Sequence, residues 1–239
     1  MNKKLNQFTI HNSQLTKYAF TLAETLIVMG IIGVVAALTL PNLNSSTGDK
    51  EKVTKVKKIY SNLNDAYGRA QTVYGSSNEW NTTQKWGRLT EFLKISKDCG
   101  CSNSANCFKC KNATGSIKLN NDTCSAVLAD GTSILMTPSD TTNNAIYIDI
   151  DGINKGQNTI AKDIFGFKMA GVDGILPYGH SEIFNGSFNT CDCTGSNLTL
   201  LCTEFVVMFD NMDYAQTNAN GKCPNNNTIL DYKTNTTCK

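Results

Sequence analysis

Four side chains that carry oxygen ligands lie near one another in the sequence and could bind a metal ion. Asp149, Asp151 and Asn154 are close neighbours, and Asp163 follows. Ca²⁺ takes about six to eight oxygen ligands, and alternating aspartates before a Gly turn can supply several of them. The spacing is not that of an EF-hand, because Gly152 directly follows Asp151. The alternative is a strand that ends in an Asp-Gly turn whose carboxylates accept backbone N–H groups. Calcium is therefore the one cofactor that the sequence suggests, and a structural turn is the competing interpretation.

Ten cysteines form the second set of reactive side chains. Four of them, Cys99, Cys101, Cys107 and Cys110, could hold zinc through thiolates, although the first pair is C-x-C and not the C-x2-C of zinc knuckles. In an exported chain, disulfides are the favoured alternative.

The cysteines fall into two groups of five along the chain. If all ten are oxidised within one chain, a group with an odd number of members cannot close on itself. At least one bridge must then join the two groups, and Cys202–Cys223 is the local bridge that we predict. The groups are Cys99, Cys101, Cys107, Cys110 and Cys124, and then Cys191, Cys193, Cys202, Cys223 and Cys238.

Residues for acid–base or nucleophilic catalysis are sparse. The two histidines are His11 and His180, and no Ser–His–Asp pattern, Walker loop or His-Glu metal-binding helix accompanies them. We therefore expect that the chain is not an enzyme.

One carboxylate, Glu24, lies in an otherwise apolar run from Phe20 to Leu40. As an α-helix this run would cover about 30 Å, which matches one bilayer core. A charged side chain inside a membrane helix costs about 2.5 kcal/mol or more, so it usually marks a function. The run therefore predicts a transmembrane helix in which Glu24 has a specific role.

The run AFTLAE, from Ala19 to Glu24, resembles the processing site of type IV prepilins and of type II secretion pseudopilins. In that family a membrane peptidase cuts before a Phe, the new amine is methylated, and a Glu stands at the fifth mature position. The resemblance implies cleavage between Ala19 and Phe20, N-methylation of Phe20, and a role for Glu24 in assembly. Ala19 departs from the family pattern, in which Gly is usual at this position.

The resemblance also implies an organisation and a fold. Residues 1–19 would be a prepilin leader, 20–41 a transmembrane and polymerisation helix, 42–75 its amphipathic continuation, and 76–239 an exported Cys-rich head. The implied fold is α+β, with a long N-terminal helix packed on a mainly antiparallel sheet. Removing the Lys-bearing leader leaves a chain close to neutral, so we expect no nucleic-acid partner.

The function implied is that of a structural subunit of a type IV pilus or a type II secretion pseudopilus. Such a subunit sits in the bacterial inner membrane with its head exported, and later in an extracellular pilus or periplasmic pseudopilus. Its partners would be copies of itself, other pilins or pseudopilins, prepilin peptidase, the inner-membrane assembly platform and, before assembly, lipid. Two alternatives remain: a minor tip pilin whose head is an adhesin or binding module, and a membrane-anchored metal-binding protein that does not polymerise.

Helical periodicity predicts how the N-terminal part of the head is built. After Pro41 the polar segment predicts a break, and a helix from Asp49 to Tyr74 follows. A second helix is expected from Trp86 to Lys97. The apolar stripe of the first helix consists of Val53, Val56, Tyr60, Leu63, Tyr67, Ala70 and Tyr74.

Strand signals follow the Cys-rich loop. Asp130-Gly131 between two β-branched segments predicts a hairpin formed by Ala126–Ala129 and Thr132–Met136. Ala145–Ile150 is a further predicted strand. The apolar segment Leu198–Phe209 fits either a strand or a helical turn that runs into a strand.

Overall fold

The computed structural model describes residues 22–110, 123–137, 144–156, 158–179, 202–218, 222–224, 228–230 and 234–238. The chain divides into two compact units, residues 1–45 and 46–239. In its described part the first unit is helical. The second unit is α+β, as predicted, and contains an antiparallel sheet. The helices are α1 (Leu22–Tyr74), α2 (Thr82–Thr90) and α3 (Cys202–Phe209), and the strands are β1 (Ile95–Gly100), β2 (Cys124–Leu128), β3 (Ser133–Thr137), β4 (Asn144–Asp149), β5 (Ile164–Met169) and β6 (Ile175–Pro177).

The six strands form a meander in which each strand pairs with the next one along the chain, in the order β1-β2-β3-β4-β5-β6. The predicted hairpin is confirmed as β2 and β3, with Ala126 opposite Ile134. Its turn fits the Asp-Gly pair: Gly131 has a φ of +88°, and Asp130 Oδ1 accepts the Thr132 N–H. The predicted strand Ala145–Ile150 is confirmed as β4, one residue earlier at each end.

The apolar stripe predicted on the first helix lies in the core. Five of its residues are buried, and Tyr60 and Tyr74 pack against the core with partial exposure. The buried five are Val53, Val56, Leu63, Tyr67 and Ala70. Ile59 and Ala66 broaden the stripe, as a 3.6-residue repeat allows.

Direct contacts join this stripe to β5 and the segment after it. The ring of Tyr60 stacks on Phe167 of β5, with 5.6 Å between ring centroids. The Tyr67 hydroxyl donates to the Gly171 carbonyl at 2.7 Å. An ion pair between Lys52 and Asp163, at 2.8 Å, adds a polar contact beside these apolar ones.

The predicted second helix, Trp86–Lys97, is wrong at both ends. The observed α2 begins earlier because Asn81 and Gln84 form a capping box at its start. It ends at Thr90, and Ile95 instead pairs with Leu128 as the first residue of β1. Leu89, which lies in both the predicted and the observed helix, is fully buried.

Three other segments differ from expectation. The break predicted after Pro41 is not found, since α1 includes residues 41–49; a proline removes one helical hydrogen bond, but the turns on either side can continue. Strand β5 was not predicted, because its short sequence follows a polar loop. The described part of Leu198–Phe209 is α3, and no strand follows within it. Helix α3 packs on β5, where the Thr203 hydroxyl accepts the Gly166 N–H at 2.9 Å.

Candidate functional site

The described part of the first unit carries exposed apolar side chains. Ala19 and Phe20, the predicted processing residues, lie outside the described residues. Glu24 is in the first turn of α1 and is exposed. The large apolar side chains from Leu22 to Val35 are 52–80% exposed. Among the described residues, no helix has both the length and the apolarity expected of a membrane span.

Of the four predicted calcium ligands, the structure brings Asp149 and Asp151 together. Asp149 is fully buried at the end of β4, and its Oδ1 accepts the N–H groups of Asp151 and Gly152, at 3.4 and 3.1 Å. Among the described residues, no hydrogen-bond donor reaches its buried Oδ2 or the buried Asp151 Oδ1. Burial raises the pKa of Asp149 to about 7, and the neighbouring Asp151 carboxyl adds to the shift. Buried carboxylate oxygens without a donor favour uptake of a proton or of a cation.

Two glycines make this arrangement possible. Gly156 has a φ of +65°, and a Cβ there would overlap the Asp151 carboxylate. Gly152 has a φ of +85°, and a Cβ there would overlap the carbonyl oxygen of Gly131 in the β2–β3 turn. Both positions therefore require glycine, which has no side chain and readily adopts the left-handed conformation.

The other two predicted ligands are placed differently. The Asp163 carboxylate contacts the Lys52 amine at 2.8 Å, and its side chain is 4% exposed. Asn154 is exposed in the loop after β4. Within the part of the chain that the structure describes, no group of three or more His, Cys, Asp or Glu side chains is arranged to hold a metal. The turn interpretation thus accounts for the Asp149 Oδ1 contacts, and a calcium site remains a prediction.

Seven of the described cysteines form disulfides, as favoured by the sequence. The bridges are Cys99–Cys107, Cys101–Cys124 and Cys223–Cys238. Cys202 is also disulfide-bonded, while Cys191 and Cys193 lie outside the described residues. The predicted Cys202–Cys223 bridge is wrong, because Cys223 is bonded to Cys238 in the C-terminal tail.

These bridges also bear on the zinc alternative. Three of the four proposed thiolate ligands, Cys99, Cys101 and Cys107, have their sulfurs in disulfides. Burial raises the pKa of the fourth thiol, Cys110, which disfavours the thiolate that zinc requires. The four-cysteine zinc site is therefore not formed.

A cleft of about 520 Å³ in the second unit is lined by four lysines, Lys55, Lys97, Lys109 and Lys155. They come from four places: α1, β1, the segment after Cys107, and the loop after β4. We call this feature the lysine cleft. No local sequence pattern predicted it, because its lysines are far apart along the chain and meet only in the folded unit.

Comparison of the chain with protein-family models, with curated proteins and with solved structures finds no match.

Proposed function

We propose that this chain is a structural subunit of a type IV pilus or a type II secretion pseudopilus, and not an enzyme. The observation that carries the proposal is the series of exposed apolar side chains on α1 from Leu22 to Val35, with Glu24 in the first turn. Contiguous exposed apolar surface of this kind marks a site for protein or membrane contact. The prepilin-like run from Ala19 to Glu24 supports both kinds of contact: with lipid before assembly and with neighbouring subunits afterwards.

Assembly of this kind gives Glu24 a specific role. Cleavage before Phe20 would create a new amine four residues upstream of the Glu24 carboxylate. In the filament, Glu24 of one subunit would contact the Phe20 amine of the next. Pairing brings two opposite charges together in an apolar environment and fixes the register of the subunits.

The proposal places the precursor in the bacterial inner membrane with its head exported, where disulfides can form. Its partners would be prepilin peptidase, the inner-membrane assembly platform, copies of itself and other pilins or pseudopilins. The assembled subunit would be part of an extracellular pilus or a periplasmic pseudopilus.

Electron microscopy of filaments that carry an epitope tag on the head tests the proposal. Labels along the whole filament indicate a major subunit, and labels at the tip alone indicate a minor one. Glu24→Ala should insert in the membrane and fold but fail to enter filaments, since the neighbouring amine loses its partner. Glu51→Ala is the control, because Glu51 is an exposed acid on the same helix. Absence of label on any filament, or normal incorporation of Glu24→Ala, would contradict the proposal.

A further inference from the structure

The lysine cleft has no role in the proposed assembly, and its charges are not balanced within the described residues. No carboxylate there lies within 4 Å of the amines of Lys97, Lys109 or Lys155. Lys55 contacts Glu51 at 3.1 Å, but both side chains are substantially exposed, so the pair is weak. The cleft therefore has an excess of positive charge that can be used by a ligand.

The two aspartates of the lining do not neutralise these lysines. Asp130 contacts Lys58, which is outside the lining, at 3.3 Å. The Asp151 carboxylate lies against Gly156 and the Asp149 carboxyl. A negatively charged ligand would thus meet lysine amines whose charges are not already paired.

The walls of the cleft are held in place by covalent and close backbone contacts. Lys97 and Lys109 flank the Cys99–Cys107 disulfide, which joins their two segments. The loop that carries Lys155 is in close contact with the β2–β3 turn, where Gly152 meets Gly131. A site with fixed walls loses less entropy when a ligand binds.

The lining chemistry specifies the class of ligand. It contains lysines, the amides of Asn106 and Asn154, and glycine backbone, and the described residues of the lining include no arginine and no aromatic residue. A planar carboxylate is best matched by the arginine fork and a sugar ring by an aromatic face, whereas lysine binds phosphate as a point charge. The volume is within the range of about 300–1,000 Å³ that is usual for small-molecule sites.

We propose that the lysine cleft binds a small phosphorylated ligand that carries two or more phosphate groups. Lys97, Lys109 and Lys155 contact the phosphates from different walls, and the amides of Asn106 and Asn154 donate hydrogen bonds to the same groups. A ligand with a single phosphate would engage only part of this set and would bind more weakly. The inference does not depend on the chain assembling into a filament.

Titration calorimetry of the full chain, purified in detergent with its disulfides intact, tests this with inorganic tripolyphosphate at fixed ionic strength. We expect one site, and weaker binding of inorganic monophosphate. Simultaneous Lys97→Glu, Lys109→Glu and Lys155→Glu substitutions should lower the affinity about a thousandfold, since each lost charge-assisted contact lowers it by about tenfold. These lysines are exposed, so the fold should persist.

The matched control reverses three exposed lysines outside the cleft, Lys50, Lys94 and Lys162, with the same change in net charge. Its affinity should stay within a few-fold of the unaltered chain. Equal loss in both triple variants would mean general attraction to a charged surface and would overturn the proposal. Unaltered affinity in the cleft variant, or no binding by the unaltered chain, would overturn it as well.

Discussion

Asn64 on α1 hydrogen-bonds both backbone groups of Ile175 in β6. Its Oδ1 accepts the Ile175 N–H at 3.0 Å, and its Nδ2 donates to the Ile175 carbonyl at 3.3 Å. Among the described strands, β6 is at the edge of the sheet, where one side of the backbone has no strand partner. The side-chain amide of Asn64 thus makes with Ile175 the two backbone hydrogen bonds that a further strand would make.

Replacing Asn64 with leucine should destabilise the second unit by about 1–3 kcal/mol, because the buried Ile175 would lose a donor and an acceptor together. Urea unfolding of the full chain in detergent measures the change in midpoint. The control is Asn62→Leu, at an exposed position on the same helix, which should change stability by less than about 0.5 kcal/mol. Equal effects of the two substitutions would show that the Ile175 contacts contribute little.

The mature N-terminus should be Phe20, and its amine should be methylated. The intact mass of the envelope-extracted protein checks this directly. Ala19→Gly should be cut at the same bond, because it restores the residue that is usual in the resembled family. Ala19→Arg should accumulate as precursor, since a small residue is required before the cut. A mass that begins at Met1, or a cut after Pro41, would remove the basis of the proposed function.

The Asp149–Asp151 pair should make stability fall as pH rises when no divalent cation is present. The pKa of Asp149 is raised from 3.8 to about 7 in the folded chain, so the folded state binds its proton more tightly than the unfolded state does. The contribution is fully present below pH 3.8 and is lost as pH rises towards and through 7. Thermal unfolding with chelator, between pH 5 and 8, measures it.

Asp151→Asn provides the control for this pH dependence. An asparagine amide could donate to Asp149 Oδ2 and would remove the neighbouring charge, so the pKa of Asp149 should drop and the curve should flatten. A slope that is the same in both proteins would mean that another group is titrating.

Calcium should stabilise the chain if it binds between these carboxylates. Binding to the folded state alone contributes about 2.7 kcal/mol when calcium is a hundredfold above its Kd. Thermal unfolding at neutral pH, with millimolar calcium or with chelator, tests it. Asp151→Asn should abolish the response, and Asp173→Asn, at an exposed position elsewhere, should retain it. An identical unfolding temperature with and without calcium would leave the segment as a structural turn.

Non-reducing peptide mapping should recover Cys99–Cys107, Cys101–Cys124 and Cys223–Cys238. Because the first two bridges use four of the five cysteines in the first group, complete oxidation would require any bridge to the second group to start at Cys110. A peptide that joins Cys99 or Cys101 to the second group would contradict both the observed pairs and this counting argument.

The sequence predicted those parts of the fold that local patterns determine. The stripe from Val53 to Ala70 follows from helical spacing, and the β2–β3 hairpin follows from Asp130-Gly131. The boundary between α2 and β1 did not follow, because Leu93 and Ile95 suit either period and only pairing with Leu128 makes this segment a strand.

Candidate sites were predictable to the same degree. Asp149 and Asp151 are neighbours in sequence and in space, so their pairing could be expected. Asp163 was grouped with them by proximity along the chain, yet its partner is Lys52, 111 residues away on α1. The lysine cleft depends on four segments meeting, and no local pattern encodes that.

The sequential order of the meander has a consequence for how the chain folds. Each strand pairs with the one made just before it, and the described disulfides span only 8, 23 and 15 residues. The sheet can therefore grow stepwise as the chain emerges, with each bridge closing soon after its second cysteine arrives. Helix α1 acquires its contacts much later, because its partners follow more than a hundred residues behind. Tyr67 contacts Gly171, and Lys52 contacts Asp163. During that interval the stripe is an apolar surface open to aggregation, and if the head is exported as proposed, a periplasmic chaperone would protect the chain by covering it.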